Sequence, residues 1–177
     1  MLGPGRTAER VGRHATVPAL IARHSPRGIV VGTTDFSDPS LPALEAAVSE
    51  ARRRGSQLQL LHVVDVGVFA LAGTAGGGLP FLPAAPSSLL PAIDDLVSAA
   101  EGRLREASSR FALDGEAIVK SGPAAQTIVD LAASMRAELV VVGTHGRTGL
   151  SRLTLGSTAE SVIRSATCSV LVVRLTA

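Results

Sequence analysis

The chain has 177 residues, enough for one domain with a sizeable core, and the absence of Trp and Tyr leaves Ala, Val, Leu and Ile to fill it, as in layered α/β proteins. Its net charge of +2 is uneven: residues 1–27 carry five Arg and one Glu, leaving twelve basic and fourteen acidic side chains in 28–177, a near-neutral body that gives no reason to expect nucleic-acid binding. A lone cysteine, Cys168, excludes an intrachain disulfide and fits a reducing cytoplasm, and no apolar stretch approaches the roughly 20 residues of a membrane span.

Residues 1–27 read as a flexible basic extension, because "VPALIA" is too short for a convincing amphipathic helix and no long apolar segment suggests a secretory signal. The body begins at residue 28. "GIVVGTT" (28–34) is a β-branched run leading to Asp35. In the following segment Leu44, Val48 and Ala51 share a helical face, with Ser40 suited to cap its start, Pro42 to its first turn and Gly55 to its exit. "QLQLLHVVD" (57–65) is the second strand. Residues 67–91 are dominated by Gly, Ala and Pro and read as a long connection or lid.

Ile93, Leu96, Val97, Ala100, Leu104 and Phe111 then mark an amphipathic helix ending before Asp114-Gly115, with Asp94-Asp95 suited to its first turn. "EAIVK" (116–120) is the third strand, and Ile128, Leu131, Ala132 and Met135 line the next helix. "ELVVVG" (138–143) is continuously apolar, as a strand buried on both faces should be. A glycine loop follows, then a helix from Ser157 to Ala166 and a last strand, "SVLVVRL" (169–175). Five strands with intervening helices predict a three-layer α/β/α domain around an open, mostly parallel, doubly wound sheet.

In such sheets ligands bind beyond the carboxyl ends of the strands, where the strand order reverses. Asp35, the His62–Asp65 stretch and the loop after Val142 all lie at such ends. The loop reads G143-x2-G146-x9-G156-S157-T158. It lacks the Lys of a P-loop and the G-x-G-x-x-G of a dinucleotide site. Gly143 and Gly146 would let backbone approach a bulky ligand, and Gly156 leads into a helix start whose free N–H groups favour phosphate. Ser157 and Thr158 add hydroxyls and Arg147 a cation. Ser157 to Glu160 also matches a capping box, so spacing alone fits a plain turn as well as an anion site.

The stretch "VVVGTHGRTGLSRLTLGSTAESVIRSATCSVLVVR" resembles the C-terminal signature of the universal stress proteins, and "TTDFSDPSLPALEAA", "LQLLHVV" and "SGPAAQTIVDLA" resemble that family's earlier turns and strands. The likeness covers residues 28–175 apart from much of 67–91. It implies a Rossmann-like fold of the adenine nucleotide alpha hydrolase-like kind. It also implies the family's ATP-binding type, which carries the G-x2-G-x9-G-[ST] spacing.

By that resemblance Asp35, with Thr33 and Thr34, would meet the ribose and adenine edge. Val63 would offer an adenine wall, and Val142 and Gly143 would lie along the nucleoside. Gly146, Gly156, Ser157 and Thr158 would donate to the phosphates. ATP or another adenine nucleotide, with Mg²⁺, is the implied ligand, and a nucleotide-responsive regulatory role in stress the implied function. A homodimer through the edge of the last strand is the implied assembly.

Two departures stand out: the first strand reaches Asp35 one residue later than is usual in the family, and Ser169 follows Cys168 where the family has Cys-Pro. The alternatives are a slow ATPase or phosphotransferase at the same loop and a pure interaction domain. The residues with catalytic chemistry fit bland roles better: His62 as a hydrogen-bonded core histidine, His145 in loop packing, Cys168 as an inert buried thiol.

Overall fold

The computed structural model describes residues 15, 17–26, 28–65, 90–111, 115–144 and 155–174. The expected 67–91 lid, apart from residues 90 and 91, lies outside these, as do His145, Gly146 and Arg147 of the glycine loop.

Six strands form one sheet in the order β1-β6-β5-β2-β3-β4. They are β1 (Ala19–Ile21), β2 (Ile29–Thr34), β3 (Gln57–Val64), β4 (Glu116–Ser121), β5 (Leu139–Gly143) and β6 (Ser169–Val173). All neighbours are parallel except β1, which runs antiparallel to β6. The chain winds outward from β2 through β3 to β4, then returns to β5 on the other side of β2 and continues to β6. Strand order therefore reverses between β2 and β5, where a doubly wound sheet opens a crevice.

The helices α1 (Leu41–Arg54), α2 (Leu90–Arg110), α3 (Ala124–Ser134) and α4 (Ser157–Ser165) cover both faces. Strand alternation sorts the core into two layers. On one face Val31, Leu61, Val140, Val142, Val170 and Val172 pack with Ile128 of α3 and Val162 and Ile163 of α4. On the other, Val30, Leu58, Leu60, Leu139, Val141 and Val173 meet Leu44, Ala47, Val48 and Ala51 of α1 and Leu104 of α2. Continuous apolar runs such as "LVVV" in β5 exist because both faces of the strand are covered. Gly55 ends α1 in the left-handed region (φ 65°), a conformation that costs glycine little, and Arg52, Arg53 and Arg54 complement the carboxyl end of the helix dipole.

Several expectations change. The sheet has six strands, not five, because Ala19–Ile21, assigned by sequence to the flexible extension, pairs with β6 and buries Ala19 and Ile21. Three residues carry too little pattern to register as a strand; the partner edge supplies the ordering. The edge of β6 expected to receive a second copy is thus already occupied. Asp94 and Asp95 fall in the second turn of α2, which begins earlier, at Leu90. Ser40 precedes α1 without a side-chain cap bond, because its hydroxyl is engaged in the turn before the helix.

Opposite the crevice, the amino ends of β2, β3 and β5 are tied by Glu138. This buried carboxylate accepts from Arg54 Nη1 at 2.6 Å, Ser56 Oγ at 2.9 Å and the Gly28 N–H at 3.3 Å. Burial alone would raise its pKa, but the donors of Arg54, Ser56 and Gly28 outweigh it and hold the carboxyl below its ordinary value. Glu50, bonded to Arg53 and Arg54, is lowered in the same way.

A depressed carboxylate adds stability that is fully present above the unfolded pKa, about 4.3, and is lost as pH falls through the lower folded value. Glu138→Gln should therefore cost about 1–3 kcal/mol at neutral pH and flatten the acid limb of the stability profile below about pH 4.3. Urea titrations at stepped pH check both effects.

Candidate functional site

A solvent-open cleft of about 190 Å³ lies at the carboxyl ends of β2, β3 and β5. A single water needs only ~10–15 Å³ of such space, so the cleft has the size of a small-molecule site. Thr33, Thr34, Asp35, Val63, Val142, Gly143, Gly156, Ser157 and Thr158 all line it, so every described residue of the sequence-based set converges here. Leu61, Ile128 and Ala159 add an apolar floor, and Ser40, Ala124 and Thr144 complete the wall.

Asp35 is fixed by its own turn. Its Oδ1 accepts from Ser37 N–H at 3.1 Å and from the Ser37 hydroxyl at 2.6 Å. Its Oδ2 is buried and has no hydrogen-bond partner among the described residues. One carboxylate oxygen is thus doubly engaged and the other is left unpartnered among the described residues, in a residue that lines the cleft. Leaving a buried acceptor unmet costs about 1–3 kcal/mol, so a ligand hydroxyl or amine donating there gains what the free protein forgoes.

The turn that holds Asp35 is itself braced. Ser40 Oγ donates to Ser37 O at 2.7 Å and accepts from Thr34 Oγ1 at 2.9 Å, while Thr34 Oγ1 accepts from Phe36 N–H at 2.9 Å. Phe36 sits at φ 62°, a left-handed conformation unusual for an aromatic residue. Its ring packs on His62 with centroids 4.2 Å apart, and the Arg103 guanidinium lies over the ring, 4.4 Å from its centre. His62 is a buried strand residue whose Nδ1 donates to Thr34 O at 2.8 Å, so it braces the turn from below.

Across the cleft, Gly156 caps the start of α4. Its N–H donates to Thr144 O at 2.8 Å, binding the helix start to the end of β5. A Cβ at this position would stand 3.0 Å from Thr144 O, closer than such contacts normally come. The helix has no side-chain cap. The Ser157–Glu160 capping box that the sequence also allowed does not form, because Gly156 takes the cap position and Ser157 becomes the first helical residue. Glu160 pairs instead with Arg164, at 3.1 Å. Ser157 and Thr158 are exposed and line the cleft at the first turn of α4, where helix N–H groups have no intrahelical acceptor.

Thr33 and Thr34 take internal roles: Thr33 Oγ1 donates to Val141 O at 3.0 Å, tying β2 to β5, and Thr34 locks the Asp35 turn. Ala124 and Thr144 were not singled out by sequence; the signals available were the "SGPAA" turn before α3 and the residue directly after Gly143. Asp35 is the one ionisable side chain of the described cleft lining. Among the described residues no His, Cys, Asp and Glu group suited to hold a metal ion is present, and no helix is long and apolar enough to cross a membrane. Cys168 is buried, and that burial pushes its thiol pKa up, so it is poorly nucleophilic.

The profile of the universal stress protein family matches residues 27–174. The chain is 32% identical over 145 residues to universal stress protein MJ0531 of Methanocaldococcus jannaschii, an alignment covering 82% of this chain and 81% of the relative. Among solved structures it is similar to the universal stress protein UspA from Lactobacillus plantarum, with a TM-score of 0.65 at 25% identity, covering 85% of this chain and 100% of that one. It also shares the fold of a universal stress protein solved in complex with cAMP, with a TM-score of 0.59 at 24% identity and coverage of 84% and 98%.

The packing of Gly156 has a measurable consequence. Gly156→Val should destabilise the fold by about 1–3 kcal/mol, because the strand end and helix start must separate to admit the side chain. Denaturant unfolding checks this.

Proposed function

The chain belongs to the universal stress protein family, and on that footing we propose that its crevice binds an adenine nucleotide, ATP with Mg²⁺, so that the protein acts as a nucleotide-responsive regulatory module of the cytoplasmic stress response. The bare, buried Oδ2 of Asp35 carries this reading. Asp35 lines the cleft with one carboxylate oxygen already accepting two hydrogen bonds, so its second oxygen is the acceptor left for a ligand hydroxyl, and the ribose of a nucleotide offers two.

The remaining lining suits the rest of such a ligand. Leu61, Val63 and Ile128 give an apolar surface for a base, and the uncapped start of α4 with Ser157 and Thr158 gives donors for phosphate oxygens. The cAMP-bound relative supports an adenine nucleotide as the ligand class. Mg²⁺ would be held by the phosphate oxygens, since hard cations of this kind keep several waters and bind through few protein groups. Binding without efficient turnover is favoured by the described lining, in which the one ionisable group lies at the sugar end and not beside the phosphates.

Calorimetric titration with ATP and Mg²⁺ tests the reading. Asp35→Asn should weaken ATP binding by about tenfold to a hundredfold, the loss expected for hydrogen bonds to a charged acceptor. ATP lacking the ribose 2′ and 3′ hydroxyls should lose affinity for the native protein but little more for the variant. The double variant Ser157→Ala, Thr158→Ala should weaken ATP more than adenosine. Failure of the native protein to bind any adenine nucleotide would overturn the proposal.

A further inference from the structure

Phe36 follows Asp35 directly, and its backbone decides where the two donors to the Asp35 carboxylate stand. Ser37 N–H reaches Asp35 Oδ1 at 3.1 Å across a single intervening residue, and that residue is Phe36, with φ 62°. A residue with a Cβ keeps a left-handed φ only where its surroundings enforce it. Rotation of Phe36 to a negative φ would move Ser37 relative to Asp35, so the N–H and the hydroxyl that hold Oδ1 would shift together. The carboxylate would then be free to turn, and the placement of Oδ2 would go with it.

What holds Phe36 comes from two directions. From the sheet, Thr34 Oγ1 accepts its N–H at 2.9 Å and His62 packs on its ring. From α2, the Arg103 guanidinium lies 4.4 Å from the ring centre and its Nη2 donates to Phe36 O at 3.4 Å. Arg103 thus grips both the side chain and the backbone of the left-handed residue, although it does not itself line the nucleotide crevice. The grip is separate from the seating of α2: Leu104 and Ala100 are buried, whereas Arg103 is exposed. Beside the contact, Phe36, Arg103 and Arg110 border a second cavity of about 160 Å³ with Leu41, Leu44 and Phe111. The guanidinium is therefore drawn to the ring by its charge and its hydrogen bond, with open space next to it.

We infer that Arg103 is a positioning residue for nucleotide binding: acting from α2 through Phe36, it fixes the turn that presents Asp35 Oδ2 to the ribose. The inference rests on the proposed ribose contact at Asp35 and adds that the strength of this contact is set by a helix outside the crevice. Selectivity follows from the indirect route. Loss of Arg103 weakens the part of binding that passes through Asp35 and leaves the base and phosphate contacts as they are.

Calorimetric titrations of ATP and of ATP lacking both ribose hydroxyls, each with Mg²⁺, test the inference on native and variant protein. Arg103→Ala should weaken ATP about threefold to tenfold, the effect of losing one cation–π contact and one long hydrogen bond behind the turn. The analogue without the hydroxyls should bind the variant as it binds the native chain. Arg103→Lys, which keeps a cation for the ring, should recover most of the ATP affinity. In a Phe36→Gly background, where a positive φ needs no brace, Arg103→Ala should change neither affinity. All these variants keep Leu104 and Ala100, and so the seat of α2. Equal weakening of both nucleotides by Arg103→Ala, or no weakening of either, would overturn this inference alone. A native chain that binds no adenine nucleotide would overturn the nucleotide reading and this inference with it.

Discussion

Parallel pairing of β2 with β5 is the constraint on which the remaining structure depends. It places Val30, Val31 and Gly32 beside Leu139, Val140 and Val141, and it forces the chain to wind away from β2 in both directions. Two consequences follow at opposite ends of the sheet. At the amino ends the strands are held by the buried Glu138, with donors from Gly28 before β2 and from Arg54 and Ser56 where α1 leads into β3. At the carboxyl ends the diverging connections leave a crevice, with the Asp35 turn on one wall and the start of α4 on the other.

Each wall of that crevice is rigid for a separate reason. On the Asp35 side, a chain of hydroxyls from Thr34 through Ser40 to Ser37 fixes the turn, and the stack of Arg103, Phe36 and His62 holds a left-handed residue in place. On the α4 side, the bond from Gly156 N–H to Thr144 O pins the helix start to a strand end. A ligand entering between them meets acceptors and donors already oriented, which lowers the ordering cost of binding. The bare oxygen of Asp35 is the local cost of that arrangement in the free protein.

Much of this was legible in the sequence. Period-2 and period-3.6 patterning located the strands and helices of the body, because their faces are buried on both sides of one sheet. The cleft was legible for a related reason: doubly wound topology sends strand ends to one place, which brings Asp35, the His62–Asp65 stretch and the loop after Val142 together, while Val63 itself was singled out only by the family resemblance. The hidden features were those set by partners instead of pattern. Ala19–Ile21 becomes a strand because β6 offers an edge. Ser157 fails to cap its helix because Gly156 bonds to Thr144. Ser40 serves Thr34 and Ser37 instead of the helix that follows. Phe36 and His62 form a brace that no periodicity encodes. The departure at Ser169 is visible in the sequence, but the two bonds its hydroxyl makes to the backbone of Arg23 depend on a contact 146 residues apart that no local pattern encodes.

The central claim is that this crevice is a nucleotide site organised around a half-satisfied carboxylate. A crystal structure of the protein grown with ATP and Mg²⁺ measures this most directly. The account predicts a ribose hydroxyl within hydrogen-bond distance of Asp35 Oδ2 and phosphate oxygens on the first-turn N–H groups of Ser157 and Thr158. Nucleotide bound elsewhere, with Asp35 Oδ2 still unpartnered, would contradict it.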